Sequence, residues 1–222
     1  MTALVLLLIL ISTVLSPFLF GEIMLAGLEK LHLDPSTALT LMIAMFVGGL
    51  INIPITRIRR DKNVSSNALA VYGLADFWPN IERNRHETII AVNFGGCVVP
   101  AGLALYESGY LAAFHPRALM LGIAGCLVNI AVCYFVARPV KGVGIAMPGL
   151  VSPAIAALLA FLLAPEAAPP VAFVIGVLGP LIGADLLHLK DIEAADAGVA
   201  SIGGAGTFDG IVLSGVVAAY LS

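Results

Sequence analysis

Two aspartates lie in neighbouring apolar stretches near the C-terminal end of the chain. Asp185 stands in GPLIGADLLHL (179–189), and Asp209 stands in ASIGGAGTFDGIVLSG (200–215). A carboxylate in the hydrocarbon region of a membrane costs about 2.5 kcal/mol or more, so an acid in such a stretch marks a functional site by default. A short polar loop joins the two stretches, and the sequence therefore predicts one site built from both.

Two carboxylates a few ångströms apart do not both ionise readily, so one keeps its proton while the other is charged. Such a pair can hydrolyse an amide, with one carboxylate as the general base and its partner as the acid that polarises the carbonyl. The same pair could instead bind and release a proton or a sodium ion in a transporter. Structural roles are also open, since Asp185 could reach the interface and Asp209 could bond a helix end.

Four glycines surround Asp209 and weaken the helix in which it would lie: Gly203, Gly204, Gly206 and Gly210. Small residues could simply let this segment pack tightly against a neighbouring helix. Alternatively, residues 201–207 unwind and the regular helix starts near Asp209. The second arrangement would bring Asp209 to the depth of Asp185.

The elements that must position these acids are membrane helices. The chain is 60% hydrophobic and 11% charged, more apolar than a soluble domain of 222 residues needs. Long runs of Leu, Ala, Val and Ile indicate an all-α, polytopic membrane protein in a single transmembrane domain, 1–222. Seven spans are predicted, with approximate limits 3–26, 36–56, 88–106, 118–137, 146–164, 170–188 and 198–221.

Charge predicts the orientation of these spans. With alternating spans, the segments 57–87, 138–145 and 189–197 share one side and hold nine of the eleven basic residues. The positive-inside rule then places the N-terminus and the loop 57–87 inside and the C-terminus outside. The expected location is the inner or plasma membrane, crossed several times.

An internal repeat is also indicated. GCVVPAGLAL (96–105) matches GLVSPAIAAL (149–158) at an offset of 53 residues, and GIAGCL (122–127) resembles GVLGPL (176–181). Spans three–four and five–six would then be copies of one helical hairpin, with Pro100 and Pro153 breaking equivalent helices. Repeats and broken helices are frequent in transporters, although Gly/Ala/Leu-rich segments also resemble one another by chance.

The remaining polar residues give no cofactor or metal pattern. The four histidines have no metal-ligand spacing, and the three cysteines are interpreted as small packing residues. Asn52, Asn93 and Asn129 are expected to bridge helices. The predicted partners are the lipid bilayer and a membrane-protein or peptide substrate, with self-association as an option and no nucleic acid.

At GADLLHL (183–189) and SIGGAGTFDGIVLSG (201–215), the chain resembles a family of small bacterial and archaeal membrane proteins known as a domain of unknown function. The resemblance runs from INIPI (51–55) to the C-terminus. It implies a shared membrane fold and supplies no activity.

The same residues show a more distant resemblance to the GxGD-type intramembrane aspartyl proteases, the presenilin and signal peptide peptidase class. Those enzymes carry one aspartate on each of two consecutive helices, and Asp185 and Asp209 resemble that pair. Phe208 stands where that class has a glycine before the second aspartate, and its Pro-Ala-Leu element is absent. MPGL (147–150) and SPAI (152–155), with Pro148 and Pro153, are only loosely similar to it.

The leading expectation is thus a membrane-embedded aspartyl hydrolase, proteolytic in kind, with Asp185 and Asp209 as the catalytic pair. The predicted surroundings of that pair are the four glycines, Phe208, His188 one turn after Asp185, Pro148 and Pro153. The alternatives are a proton- or ion-coupled transporter or channel that uses the same acids, and a non-catalytic membrane scaffold.

Overall fold

A computed structural model describes residues 19–59, 87–140, 144–192, 199–204 and 210–222, without the side chains of residues 58, 59, 87 and 199. The helices are α1 (19–29), α2 (Pro35–Gly48), α3 (Val99–Phe114), α4 (Pro116–Val136), α5 (Val151–Leu163), α6 (Ala168–Leu178) and α7 (Gly210–Leu221). The strands are β1 (Asn52–Arg59), β2 (Glu87–Asn93), β3 (Arg138–Val140), β4 (Gly144–Ala146) and β5 (Val199–Ile202). A π-helical segment, Phe94–Val98, leads into α3, and a second, Gly179–Leu186, continues α6.

Helix α6 is the centre of the bundle. Its sequence, APPVAFVIGVL, is apolar on every side, and a helix of that kind is stable only when it is surrounded. It packs against α3, α4, α5 and α7, and Phe173 and Ile175 have no exposed surface. The most apolar window of the helical stretch Pro165–Leu186 is 83% buried inside the protein, whereas those of the two other long helices are 33% and 28% buried.

The outer surface of the bundle is apolar. On α4, Met120, Ile123 and Leu127 follow one another at helical spacing and are 72%, 53% and 65% exposed. Within the described residues, three helical stretches are long and apolar enough to cross a membrane: Phe94–Phe114, Pro116–Val136 and Pro165–Leu186. An apolar helix that presents large side chains outward is what lipid requires, so these features indicate a membrane protein.

A three-stranded mixed sheet lies at one end of the bundle. Strand β2 is central, with β1 antiparallel on one side and β5 parallel on the other. Ile90, Ala200 and Ile202 are buried on one face of this sheet, in a small core that also contains Ile192. Partly buried Leu181 packs against that core, so the π-helical end of α6 covers the sheet.

The sheet corrects the predicted all-α fold class: the described part of the chain is mostly helical but contains two small sheets, because β3 and β4 form a second, two-stranded one. Predicted spans 36–56, 88–106 and 198–221 each contain both a helix and a strand. Hydropathy does not separate a buried strand from a helix, and the Thr88–Val92 run is rich in β-branched residues. Pairing on both sides satisfies the main chain of β2, so it needs no water.

The prolines of the predicted repeat do not interrupt regular helix. Pro100 and Pro153 both lie in the first turn, of α3 and α5 respectively. Pro153 fits there because its missing N–H has no partner within the helix, and Pro100 stands where the π-helical segment Phe94–Val98 passes into α3. The helical breaks lie instead at the two π-helical segments, at the glycines 95 and 96 and at Pro180.

Chain direction gives the bundle two distinct ends. The Asp185 end contains the three-stranded sheet, the segment Gly179–Leu186 and the start of α7. The Glu107 end contains the α1–α2 connection, the last turns of α3 and the C-terminus, where Lys30 Nζ donates to the Tyr220 carbonyl at 2.6 Å.

Candidate functional site

Asp185 lies in the π-helical segment Gly179–Leu186, with its side chain half-buried. Its Oδ2 accepts a hydrogen bond from the Gly203 N–H at 3.0 Å. π-Helical turns are uncommon and occur frequently at functional sites. This contact joins the segment that carries Asp185 to the strand β5 and the glycine turn six residues before Asp209.

The glycine at position 203 is required by both conformation and space. Its φ is +67°, a left-handed conformation that favours glycine. A Cβ there would lie 2.6 Å from the carbonyl carbon of Gly96 and 2.8 Å from the Cβ of Cys97. A Cβ on Gly96 would in turn overlap the carbonyl oxygen of Gly203. The turn after β5 therefore rests directly on the π-helical main chain that follows β2.

Polar side chains connect the three strands at this end. Asn93, the last residue of β2, donates to the Gly49 carbonyl at 2.7 Å and to Asn52 Oδ1 at 3.1 Å. Ser201 of β5 also donates to Asn52 Oδ1, at 2.5 Å, although β1 and β5 lie on opposite sides of β2. The register pairs Asn52 with Asn93 and Ser201 with Ala91, so this bond crosses β2 diagonally.

Asn93 also stabilises the start of the π-helical turn, because its Oδ1 accepts the Gly96 N–H at 2.7 Å. The two asparagines thus bridge strands and a helix start, whereas the sequence predicted that they bridge helices. Together with the Gly203 contact, these bonds fix the irregular main chain around Asp185.

The other predicted glycines lie in or after the turn that follows β5. Gly204 follows Gly203 in the turn, and a Cβ there would overlap Ser201. Gly210 is the first residue of α7, with open space where a Cβ would stand. Asp209, Gly206 and Phe208 lie outside the described residues.

His188, predicted beside Asp185, faces α4. Its Nδ1 lies 3.0 Å from the Gly183 carbonyl oxygen, and its ring packs on Tyr134 with centroids 4.8 Å apart. Buried and bonded in this way, His188 stabilises the turn of chain that ends the π-helical segment.

The two prolines contribute differently. Pro148 is exposed in the connection between β4 and α5. Pro153 is buried in the first turn of α5, next to Ser152.

A second polar cluster, which the sequence did not predict as a unit, links four helices inside the bundle. Asn129 of α4 donates to Ser152 Oγ and to the Ile175 carbonyl, both at 3.0 Å. The Ser152 hydroxyl lies 2.5 Å from that of Ser214 in α7. All three polar side chains are fully buried. Because their groups are matched to one another, this cluster acts as a connector of α4, α5, α6 and α7.

The sequence reading missed one buried acid. Glu107 of α3 has no exposed surface, and its Oε2 lies 3.2 Å from His32 Nδ1. The predicted span ended at residue 106, whereas α3 continues to Phe114, so Glu107 was excluded by one position. A scan of the longer apolar run for charged residues would have found it.

The described geometry is that of a carboxylate held by a main-chain donor next to broken secondary structure. Such a carboxylate can bind a proton, accept one from water or orient a polar substrate group. In the described part of the chain, no three His, Cys, Asp or Glu side chains come together as a metal site would require.

Comparison with known proteins gives one match. The profile of a family described as "Protein of unknown function (DUF1614)" matches residues 46–221. Neither the curated proteins nor the solved structures gave a match to this chain. The profile covers most of the chain, from the end of α2 through α7, and includes both aspartate-bearing segments. The chain therefore belongs to the DUF1614 family of proteins of unknown function.

Proposed function

We propose that the protein is a membrane-embedded aspartyl hydrolase in which Asp185 and Asp209 share one catalytic proton. The observation that carries the proposal is the hydrogen bond from the Gly203 N–H to Asp185 Oδ2. It ties Asp185 to the segment that leads, six residues later, to Asp209.

The main chain around that bond supports the proposal. Gly203 and Gly96 allow two main chains to meet without side chains between them. The described chain at the contact is strand and turn rather than helix, with β5 before Gly203 and a turn at Gly203 and Gly204. This is the unwinding that would bring Asp209 close to the level of Asp185.

In the proposed reaction, one carboxylate removes a proton from water while the protonated partner donates a hydrogen bond to the amide carbonyl. The water oxygen then forms a bond to the carbonyl carbon, and the proton held by the pair goes to the leaving amine. The likeness of both aspartates to those of the GxGD-type proteases supports the same assignment by analogy.

We further propose that the Asp185 end lies on the inner side of the plasma membrane and that seven segments enter or cross the bilayer. The basic segments 57–87, 138–145 and 189–197 flank this end, which fits the positive-inside rule. The substrate class would be a peptide or membrane protein with an apolar segment, and self-association would complete the catalytic unit.

The test is cleavage of a fluorescent peptide with an apolar segment of about 20 residues, reconstituted with the purified protein in liposomes. Asp185→Asn and Asp209→Asn should each abolish cleavage, since an amide does not exchange the required proton. Asp191→Asn is the matched control, because Asp191 is an exposed carboxylate six residues after Asp185. That variant should retain wild-type activity.

Retained cleavage in either single aspartate variant would contradict the two-acid mechanism. A distance measurement tests the pair independently of substrate choice. Asp185→Cys and Asp209→Cys, combined in a chain without the native cysteines 97, 126 and 133, should form a disulfide on oxidation. That bond requires Cα atoms within about 7 Å. Its failure to form would contradict the proposal that Asp185 and Asp209 form a pair.

The second candidate is a proton- or ion-coupled transporter that uses the same acids. The observation in its favour is the interruption of apolar segments by strands and π-helical turns, since discontinuous helices line transport sites. A pH gradient across the same liposomes would drive uptake of a small solute in this case. Loss of proton flux in Asp185→Asn, without any peptide cleavage by the wild-type protein, would favour the transporter over the hydrolase.

A further inference from the structure

Glu107 is a buried acid far from the Asp185 end. It lies in the helical stretch Phe94–Phe114, which is apolar enough to cross a membrane, and none of its surface is exposed. Its Oε2 lies near His32, but Oε1 has no hydrogen-bond partner among the residues that the structure describes. A buried carboxylate oxygen without a donor costs free energy, more so when the group is charged. The described part of the chain therefore leaves this acceptor unsatisfied.

His32 connects this buried acid to the surface. It lies in the connection between α1 and α2, and its side chain is 35% exposed. Its ring stacks on Tyr110 with centroids 3.5 Å apart, and its carbonyl accepts from the Tyr106 hydroxyl at 3.3 Å. With Nδ1 on Glu107 and an edge of the ring toward the exterior, the imidazole can exchange a proton with water and with the carboxylate.

The stability of the fold does not explain why this pair is buried. Replacing a buried ion pair with apolar groups is often neutral or stabilising, so stability alone does not require one. A helix as apolar as α3 could place leucine at position 107 and lose only the contact with the partly exposed His32. The unpartnered oxygen is instead what a site that gains and loses a proton needs, because a protonated acid and a carboxylate differ in donors and acceptors.

We propose that Glu107 and His32 form a proton-binding site at the Glu107 end, separate from the proposed catalytic pair. The site holds one proton, carried either by the carboxyl of Glu107 or by the imidazole of His32. In the first case the carboxyl is neutral in its apolar surroundings. In the second, the imidazolium balances the buried carboxylate.

The described charged and titratable groups around this end are few. On the elements packed against α3 and on the two adjoining connections, they are Glu29, Lys30, Asp34, Tyr106, Tyr110, His115, Arg117, Glu166 and Tyr220. Within the described residues, the polar contact of the Glu107 carboxylate is with His32 and with none of these nine groups. The protonation of Glu107 should therefore depend on His32 more than on any other group.

Dicyclohexylcarbodiimide provides a direct test. This apolar reagent takes the proton of a carboxylic acid and bonds to the resulting carboxylate, so it labels buried acids only in their protonated form. We expect mass spectrometry of the purified full chain to find the label on Glu107. Above the pH at which labelling begins to fall, it should fall on the order of tenfold per pH unit, as the loss of one proton dictates.

His32→Gln separates proton exchange from a packing role. Glutamine can still donate a hydrogen bond to Oε2 but carries no charge, so Glu107 must keep its own proton. Labelling at neutral pH should therefore rise several-fold above wild type. Glu29→Gln is the matched control, because Glu29 is an exposed carboxylate at the same end, and it should leave the labelling of Glu107 unchanged.

Three results would overturn the proposal. The first is an unlabelled Glu107 at every pH in the wild-type chain, which needs no variant to fold. The second is a pH profile of labelling that is identical in wild type and His32→Gln. The third is a loss of Glu107 labelling when sodium replaces choline at constant ionic strength and pH. That result would show that the site binds a metal cation.

Discussion

The two ends of the bundle hold their acids by different means. At the Asp185 end, a carboxylate accepts a main-chain N–H from Gly203 at 3.0 Å. At the Glu107 end, a carboxylate lies beside a side chain, His32, and keeps one oxygen without a partner. Both acids belong to helical stretches long enough to cross a membrane. What differs is the regularity of the main chain around them.

Regular helices use nearly all their N–H groups internally, so they offer none to a neighbouring acid. In the described residues, Glu107 lies in such a helix, and its polar partner is His32 of the α1–α2 connection, a side chain that can itself be charged. Asp185 faces a turn and two π-helical segments, where N–H groups are free to point outward. Broken secondary structure thus supplies fixed donors, and intact helices leave a carboxylate dependent on a titratable partner.

The largest effect should come from filling the space between the two main chains at the Asp185 end. Gly96→Ala places a methyl group against the Gly203 carbonyl oxygen, where neither main chain has a side chain to move aside. We expect a loss of about 3 kcal/mol or more in the free energy of unfolding, or no folded protein. Thermal unfolding in a fixed detergent measures it.

Gly102→Ala is the control for that substitution. Gly102 lies in α3, six residues after Gly96, with nothing within 4 Å of an added Cβ. Alanine should stabilise the helix there by up to about 1 kcal/mol. Equal losses for both variants would show that the contact between Gly96 and Gly203 does not hold this end together.

The same substitution at the two acids should have opposite consequences. Asp185→Leu removes the acceptor of the Gly203 N–H and should destabilise the protein by about 1–3 kcal/mol. Glu107→Leu removes an unpartnered oxygen and fills the space with apolar atoms, so stability should stay the same or rise. His32, one-third exposed, can then bond water. Equilibrium unfolding of both variants in the same detergent gives the two free energies.

An unchanged stability of Asp185→Leu, or a loss above about 2 kcal/mol for Glu107→Leu, would remove the distinction between the two ends. Asp185→Asn separates the structural role of Asp185 from its proposed catalytic role. The amide keeps an oxygen for the Gly203 N–H, so this variant should retain most of the stability while losing the proposed activity.

The smallest effect concerns a third acid, Asp34, which is fully exposed before α2 and receives bonds from the Ser36 and Thr37 hydroxyls and the Thr37 N–H. These bonds lower its pKa from 3.8 to about 2, the Ser36 hydroxyl contributing most. Because the folded pKa is the lower one, the stabilisation is complete above pH 4 and is lost as the pH falls toward 2.

Asp34→Asn should keep most of the cap and lose this pH dependence, which a series of unfolding curves between about pH 2 and pH 5 would show. A wild-type α2 whose stability is independent of pH in this range would contradict the assignment. Asp34 thus provides the reference for an exposed acid whose pKa is lowered by local hydrogen bonds.

Several features of the fold and the site were predictable from the residues. The excess of apolar residues predicts membrane helices, and predicted spans 118–137 and 170–188 correspond closely to α4 and to α6 with its π-helical extension. Asp185 was identifiable because a charged residue stands out against an apolar run. An unwound segment was one of the two alternatives that the glycines at 203 and 204 indicated, and the structure has a turn there.

Other features were not predictable, for definite physical reasons. Hydropathy averages over a window and gives the same value for the strand at Thr88–Val92 as for a helix. The window also ended a span at residue 106, one position before Glu107, although α3 continues to Phe114. The bond between Ser201 and Asn52, which are 149 residues apart, depends on the registers of both β1 and β5 against β2.

By itself, the sequence determined that the protein is a membrane protein and which positions carry an acid within an apolar stretch. Both follow from the composition of a local stretch of chain. The tertiary structure alone decided the partner of each acid. Gly203 is 18 residues from Asp185, and His32 is 75 residues from Glu107. Contacts at such separations are fixed by how the helices and the sheet pack, since the free energy of a buried carboxylate depends on the donors brought to it.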